Sequence, residues 1–182
     1  MNWFNTILML LVAFLAVFLE AAFNGVRGWL GAQVDVLPAL VVYASLRGSL
    51  TAVTLLAILG GLWFDSLSAN PLGVSMLPLF AAGFMIHLKQ DLILRDQFIA
   101  QFVLGFMASA AVPALTLLLL SAGQRPLLGW GSLWQWGVMS LGGAVLTPFC
   151  FHFFDFIHRA LNYRPFTGTS FRPDREIRRG RI

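Results

Sequence analysis

The sequence predicts an all-α integral membrane protein, a single bundle of about six transmembrane helices. Three observations carry this. Of the 182 residues, 58% are hydrophobic and only 11% charged, against roughly 25% charged in an ordinary soluble domain. A soluble fold of this size needs a polar shell, which this chain lacks the residues to build. The apolar residues fall in long runs, several near the ~20 residues that cross a bilayer. In lipid every backbone N–H and C=O must be paired internally, so such runs become helices. The short alternating segments of a membrane barrel are not seen.

The first run extends from about Phe4 to Phe23. It lacks a basic leading region and an A-x-A site, and so reads as a first span rather than a cleaved signal. An Asn24-Gly25 turn with Arg27 follows. The second run, Val34 to Leu46, is short. It begins beside Asp35 and places Pro38 in its first turn, where proline is tolerated. Trp29 to Leu46 together is long enough to span with a break, and Arg47-Gly48 ends it.

The third run covers Leu50 to Leu67, closed by Ser68-Ala69-Asn70-Pro71, and the fourth covers Leu72 to Leu88. A charged connection with Lys89, Asp91, Arg95 and Asp96 leads to a fifth run, Phe98 to Leu120, containing Pro113. A Gly- and Pro-containing loop from Gln124 to Ser132 precedes the sixth, Leu133 to Ile157. Residues 1–160 thus form one transmembrane domain, and residues 161–182 a basic tail. No internal repeat is evident.

Basic residues favour the cytoplasmic side of a membrane. With six spans and both termini cytoplasmic, Arg47, Lys89, Arg95 and the tail from Arg159 lie inside, while Arg27 and Arg125 lie outside. This orientation also puts Trp29, Trp130, Trp134 and Trp136 at the outer boundary, where indole rings prefer to sit. The net charge of +4 comes mostly from the tail. Its Arg172, Arg175, Arg178, Arg179 and Arg181 suit anionic lipid headgroups, at roughly 1 kcal/mol each, or a cytoplasmic partner, and not nucleic acid. The single cysteine, Cys150, allows no intrachain disulfide and no cysteine metal cluster, and reads as a buried inert thiol.

Helices in lipid associate through close approach at small residues. Ala57 and Gly61, Gly105 and Ser109, and Ser140 and Ala144 are such pairs, each four apart. They serve tight packing within the bundle or a docking groove for a partner's transmembrane helix.

Few polar groups interrupt the runs. Asp65, near the outer end of the third, is costly in a membrane segment and so a functional candidate. It also suits a cap on the following turn through the amides of Ser66, Ser68 and Asn70. Glu20 reads as an interfacial carboxylate, with Arg27 or Arg125 as pairing candidates. His152, Asp155 and His158 repeat every three residues and drift over about 120° of one helix face. His87 is on the same predicted side. These are metal-ligand types, but with no evident fourth ligand they read as a solvated helix end, where cations are favoured.

The segment from Leu37 to Leu88 carries a family resemblance. It reads Leu37-Pro38-Ala39-Leu40-Val41-Val42-Tyr43, then Arg47-Gly48, then Gly60-Gly61-Leu62-Trp63-Phe64-Asp65-Ser66-Leu67-Ser68, then Pro71-Leu72-Gly73 and Gly83-Phe84. This order of elements resembles the bacterial rod shape-determining protein MreD family: a proline-led apolar helix, a G-x-L-x-x-D segment, a small-residue turn with P-L-G, and a glycine-aromatic pair. The resemblance implies a fold similar to the substrate-binding subunits of energy-coupling-factor transporters. It also implies a non-catalytic role in cell-wall elongation in the inner membrane. The implied partners are MreC directly, and MreB, RodA and its transpeptidase indirectly, with no cofactor and no small-molecule substrate. Carried onto this sequence, it marks Pro38, Tyr43, Gly61, Asp65, Pro71 and Gly73 as partner-binding or turn-forming positions, with Asp65, Pro71 and Gly73 fixing an outer hairpin that helps seat MreC.

Two other function classes are weighed against this. A solute-binding transporter subunit needs small-residue motifs on its first helix, where this chain has Phe14, Leu15, Val17, Phe18 and Leu19. An intramembrane hydrolase needs a nucleophile and base in one site. Ser109, Ser121 and Ser140 are available, but there is no G-x-S-x-G, H-E-x-x-H or phosphate loop, and the histidines fall at helix ends.

Overall fold

The computed structural model describes residues 3–22, 31, 34–68, 71–90, 97–121 and 130–161. The predicted runs form six α-helices in order: α1 Trp3–Ala22, α2 Leu37–Arg47, α3 Leu50–Leu67, α4 Met76–Leu88, α5 Phe98–Ser121 and α6 Trp130–Leu161. There is no strand among the described residues. Four helices, α1, α3, α5 and α6, are long and apolar enough to cross a membrane.

The other two are shorter apolar helices. α2 has 11 residues and α4 has 13, lengths of about 16 and 20 Å at 1.5 Å per residue, against a hydrocarbon core of ~30 Å. α2 starts at Leu37 rather than Val34 because Val36, its N-cap residue, stands one position ahead of the proline-bearing first turn. α4 starts at Met76 rather than Leu72 because Pro71 to Ser75 are spent on a tight turn.

α2 is the centre of the bundle. Every residue from Leu37 to Leu46 is buried, and α2 packs against all five other helices. Around it α1, α3, α4, α5 and α6 follow one another in a ring. The ring is least closed between α6 and α1, where Asn5 Nδ2 and His158 Nε2 meet at 2.7 Å. A helix enclosed on all sides can be apolar all round, and Leu-Pro-Ala-Leu-Val-Val-Tyr-Ala is. The outer helices show the reverse. α1 buries Met9, Ala13 and Val17 and exposes Phe4, Ile7, Leu11, Phe14, Leu15 and Phe18, while α6 exposes Leu141, Val145, Phe149 and Phe156. An apolar exterior this extensive suits lipid and not water.

Close approach at small residues sets the helix spacings. A side chain at Gly83 would lie 2.7 Å from the methyls of both Val41 and Val53, so α4 reaches α2 and α3 together only through glycine. A Cβ at Gly105 would overlap Thr147, and one at Gly143 would overlap Ser109, locking α5 on α6. The small-residue positions on α3, α5 and α6 are therefore occupied by neighbours within the bundle: Ala57, Ser140 and Ala144 are buried, and Gly61 lies against Met76. Tyr43 stacks on Phe154, centroids 4.5 Å apart, and meets Phe151 edge-on at 4.9 Å, joining α2 to α6.

Candidate functional site

The candidate residues occupy two ends of the bundle. At one end the α3–α4 turn is built around Asp65. Its side chain is 1% exposed and carries three hydrogen bonds. Oδ2 accepts from the amides of Gly73 at 2.8 Å and Ser75 at 3.1 Å, and Oδ1 accepts from the Ser75 hydroxyl at 2.5 Å. The chain reaches this cradle only by reversing sharply. Gly73 adopts φ +91°, a left-handed conformation that disfavours any residue with a Cβ. Val74 N closes the turn onto Pro71 O at 3.3 Å.

One turn earlier on α3, a Cβ at Gly61 would stand 3.0 Å from the Met76 backbone, so Gly61 lets the start of α4 lie flat on α3. Gly61, Asp65, Pro71 and Gly73 thus belong to one α3–α4 hairpin.

The amides that Asp65 satisfies differ from those expected. Ser68 N bonds to Phe64 O, and Ser66 Oγ to Trp63 O, while Asn70 lies outside the described residues. Asp65 ties its own helix to the entry of the next one, eight and ten residues on, instead of capping the turn directly after it. Ser75 was not singled out by sequence because an isolated serine at that distance carries no periodic signal. Leucines flank the turn on its exposed side: Leu67, Leu72 and Leu77 are 53%, 69% and 59% exposed.

Pro38 and Tyr43 are not part of this hairpin. Pro38 is buried in the first turn of α2, and Tyr43 is the aromatic link to α6 just described. At the start of α2, Val36 N donates to Glu20 Oε1 at 2.8 Å and Leu37 N to Asp35 Oδ1 at 2.9 Å. Glu20, expected as an interfacial carboxylate, shares the start of α2 with a second carboxylate, while its candidate partners Arg27 and Arg125 lie outside the described residues. Sequence reasoning missed this pair because its members come from different segments.

At the opposite end, Arg47 and Asp155 form an ion pair at 3.4 Å, each side chain 35% exposed. His158 is held by Asn5 and by its own helix through Phe154 O, His152 contacts Pro148 O, and His87 Nδ1 lies 3.1 Å from Ser45 O. His152, Asp155 and His158 therefore turn to three different partners and do not converge. No group of three potential metal ligands forms among the described residues. Cys150 is buried on α6. Of the serines considered as nucleophiles, Ser140 donates to Trp136 O, and Ser109 is buried against Gly143. The basic tail positions Arg172, Arg175, Arg178, Arg179 and Arg181 lie outside the described residues.

Comparisons with family models, with curated proteins and with solved structures each find no match to this chain.

Proposed function

We propose that this chain is a non-catalytic membrane scaffold of the MreD kind, seated in a bacterial inner membrane with both termini cytoplasmic. In this reading it binds MreC within the rod-elongation complex, and through it serves MreB, RodA and its transpeptidase. The observation that carries the reading is the Asp65 hairpin. The motif-bearing residues Gly61, Asp65, Pro71 and Gly73, which come from one continuous resemblance, share one turn built by three hydrogen bonds. The same turn displays Leu67, Pro71 and Leu72 at the end of the bundle. A hydrogen-bonded turn flanked by exposed leucines is suited to holding a partner. Its only carboxylate is consumed by backbone and hydroxyl donors.

The test is an unbiased pull-down of the tagged chain from gently solubilised native membranes. Recovery of MreC or wall-synthesis enzymes is expected, with Asp65→Ala reducing that recovery at an unchanged membrane level of the chain. Recovery instead of an ATPase pair with its membrane coupler, and none of the wall machinery, overturns the scaffold reading in favour of a solute-binding subunit.

A further inference from the structure

The start of α2 gathers two carboxyl groups onto two consecutive amides. Glu20, two residues before the end of α1, uses Oε1 on Val36 N, and Asp35 uses Oδ1 on Leu37 N. The two carboxyls are therefore held on neighbouring amides of one helix start. Asp35 is 8% exposed. The second oxygen of Glu20, Oε2, is shut off from solvent and has no hydrogen-bond partner. Two ionised carboxylates in one dry site repel each other, and an ionised oxygen without a donor forfeits its solvation with nothing in return.

Among the described residues no cation lies at this end of the bundle. Among the described residues, α3 brings Asp65 to this end, already committed to Gly73 and Ser75. The charged and titratable side chains of α2, α4 and α6, namely Tyr43, Arg47, His87, Cys150, His152, Asp155, His158 and Arg159, belong to their opposite halves. α5 carries no charged residue. Arg27 and Arg125, in the connections of this side, lie outside the described residues.

We propose that Glu20 and Asp35 form a proton-binding site, holding one proton between them, which fastens α1 to the first turn of α2. The proton gives the orphaned Oε2 a partner and halves the charge. The remaining negative charge sits at the N-terminal end of α2, where the exposed amides and the helix dipole favour it. With two carboxyl groups and no further ligand among the described residues, the site is too poor for a divalent metal, which takes four or more. The junction matters because α2 is the helix every other one packs against.

Infrared spectroscopy of the full chain in lipid nanodiscs at neutral pH tests this through the C=O stretch of a protonated carboxyl, which is separate from carboxylate bands. The wild type should show one such band, shifted in deuterated water. Glu20→Gln should lose it, because the glutamine amide replaces the shared proton as the donor to Asp35. Should that variant fail to fold, Asp35→Asn must shift or remove the band. No protonated-carboxyl band in the wild type overturns the proposal, as does a band that persists unmoved in the variants.

Discussion

Replacing Asp65 by alanine is the sharpest perturbation of the hairpin. It removes the acceptor for two backbone amides and one hydroxyl in a side chain that is 1% exposed. Hydrogen bonds to a charged group contribute about 1.5–3 kcal/mol each, and a buried donor left alone costs a similar amount. Three losses do not add in full, because the Ser75 hydroxyl can turn and the amide of half-buried Gly73 can take water. Non-additivity among neighbours brings the expected destabilisation to roughly 3–5 kcal/mol.

Asparagine separates charge from geometry. Its Oδ1 can face Gly73 and Ser75 while its amide donates to Ser75 Oγ, so Asp65→Asn should lose only about 1–2 kcal/mol. The assay is thermal unfolding in detergent, followed by tryptophan fluorescence and by survival of the monodisperse peak on size exclusion. Asp65→Ala should fall on the order of 10 °C below wild type, with Asp65→Asn between the two. An alanine variant that unfolds with the wild type, or an asparagine variant as damaged as alanine, would refute the view that the carboxylate builds this turn.

Other expectations concern packing and the opposite end. Gly143→Ala forces α6 away from Ser109 on α5 and should destabilise by about 1–3 kcal/mol through overpacking. Adding Ser109→Gly should recover part of that loss, and strictly additive losses in a double-mutant cycle would show that the contact is not the cause. Tyr43→Ala removes a ring packed on Phe151 and Phe154 and should lower stability by roughly 3–5 kcal/mol, read as a fall in unfolding temperature beyond that of Tyr43→Phe. Arg47→Ala breaks an ion pair whose side chains are one-third exposed. The share of the loss that Asp155→Asn reproduces should stay under about 1 kcal/mol and vanish at high salt, and a large, salt-independent loss in Asp155→Asn would refute the reading of this pair as a weak surface contact.

Much of the architecture was legible in the sequence because hydrophobic length is a local property. A run such as Phe98–Leu120 must be helical wherever it is buried, and its boundaries moved by only a residue or two. Pro38 and Gly48 likewise act locally. The proline is tolerated where no amide bond is needed, and the glycine ends α2 because a Cβ there would strike Ala44 O. The positions of Gly61, Asp65 and Gly73 in one hairpin were legible only as an ordered motif.

What the tertiary structure alone decided were the meetings between segments. That α2 is the central helix is seen only in the five helices packed around it, which no property of its own eleven residues records. Ser75 as the partner of Asp65, Gly83 at the crossing of three helices, and Glu20 beside Asp35 all depend on distances between residues far apart in the chain. Composition and periodicity determine which stretches enter a bundle. Which of their few polar and small residues face one another is set by packing, because that choice is made only when the helices come together.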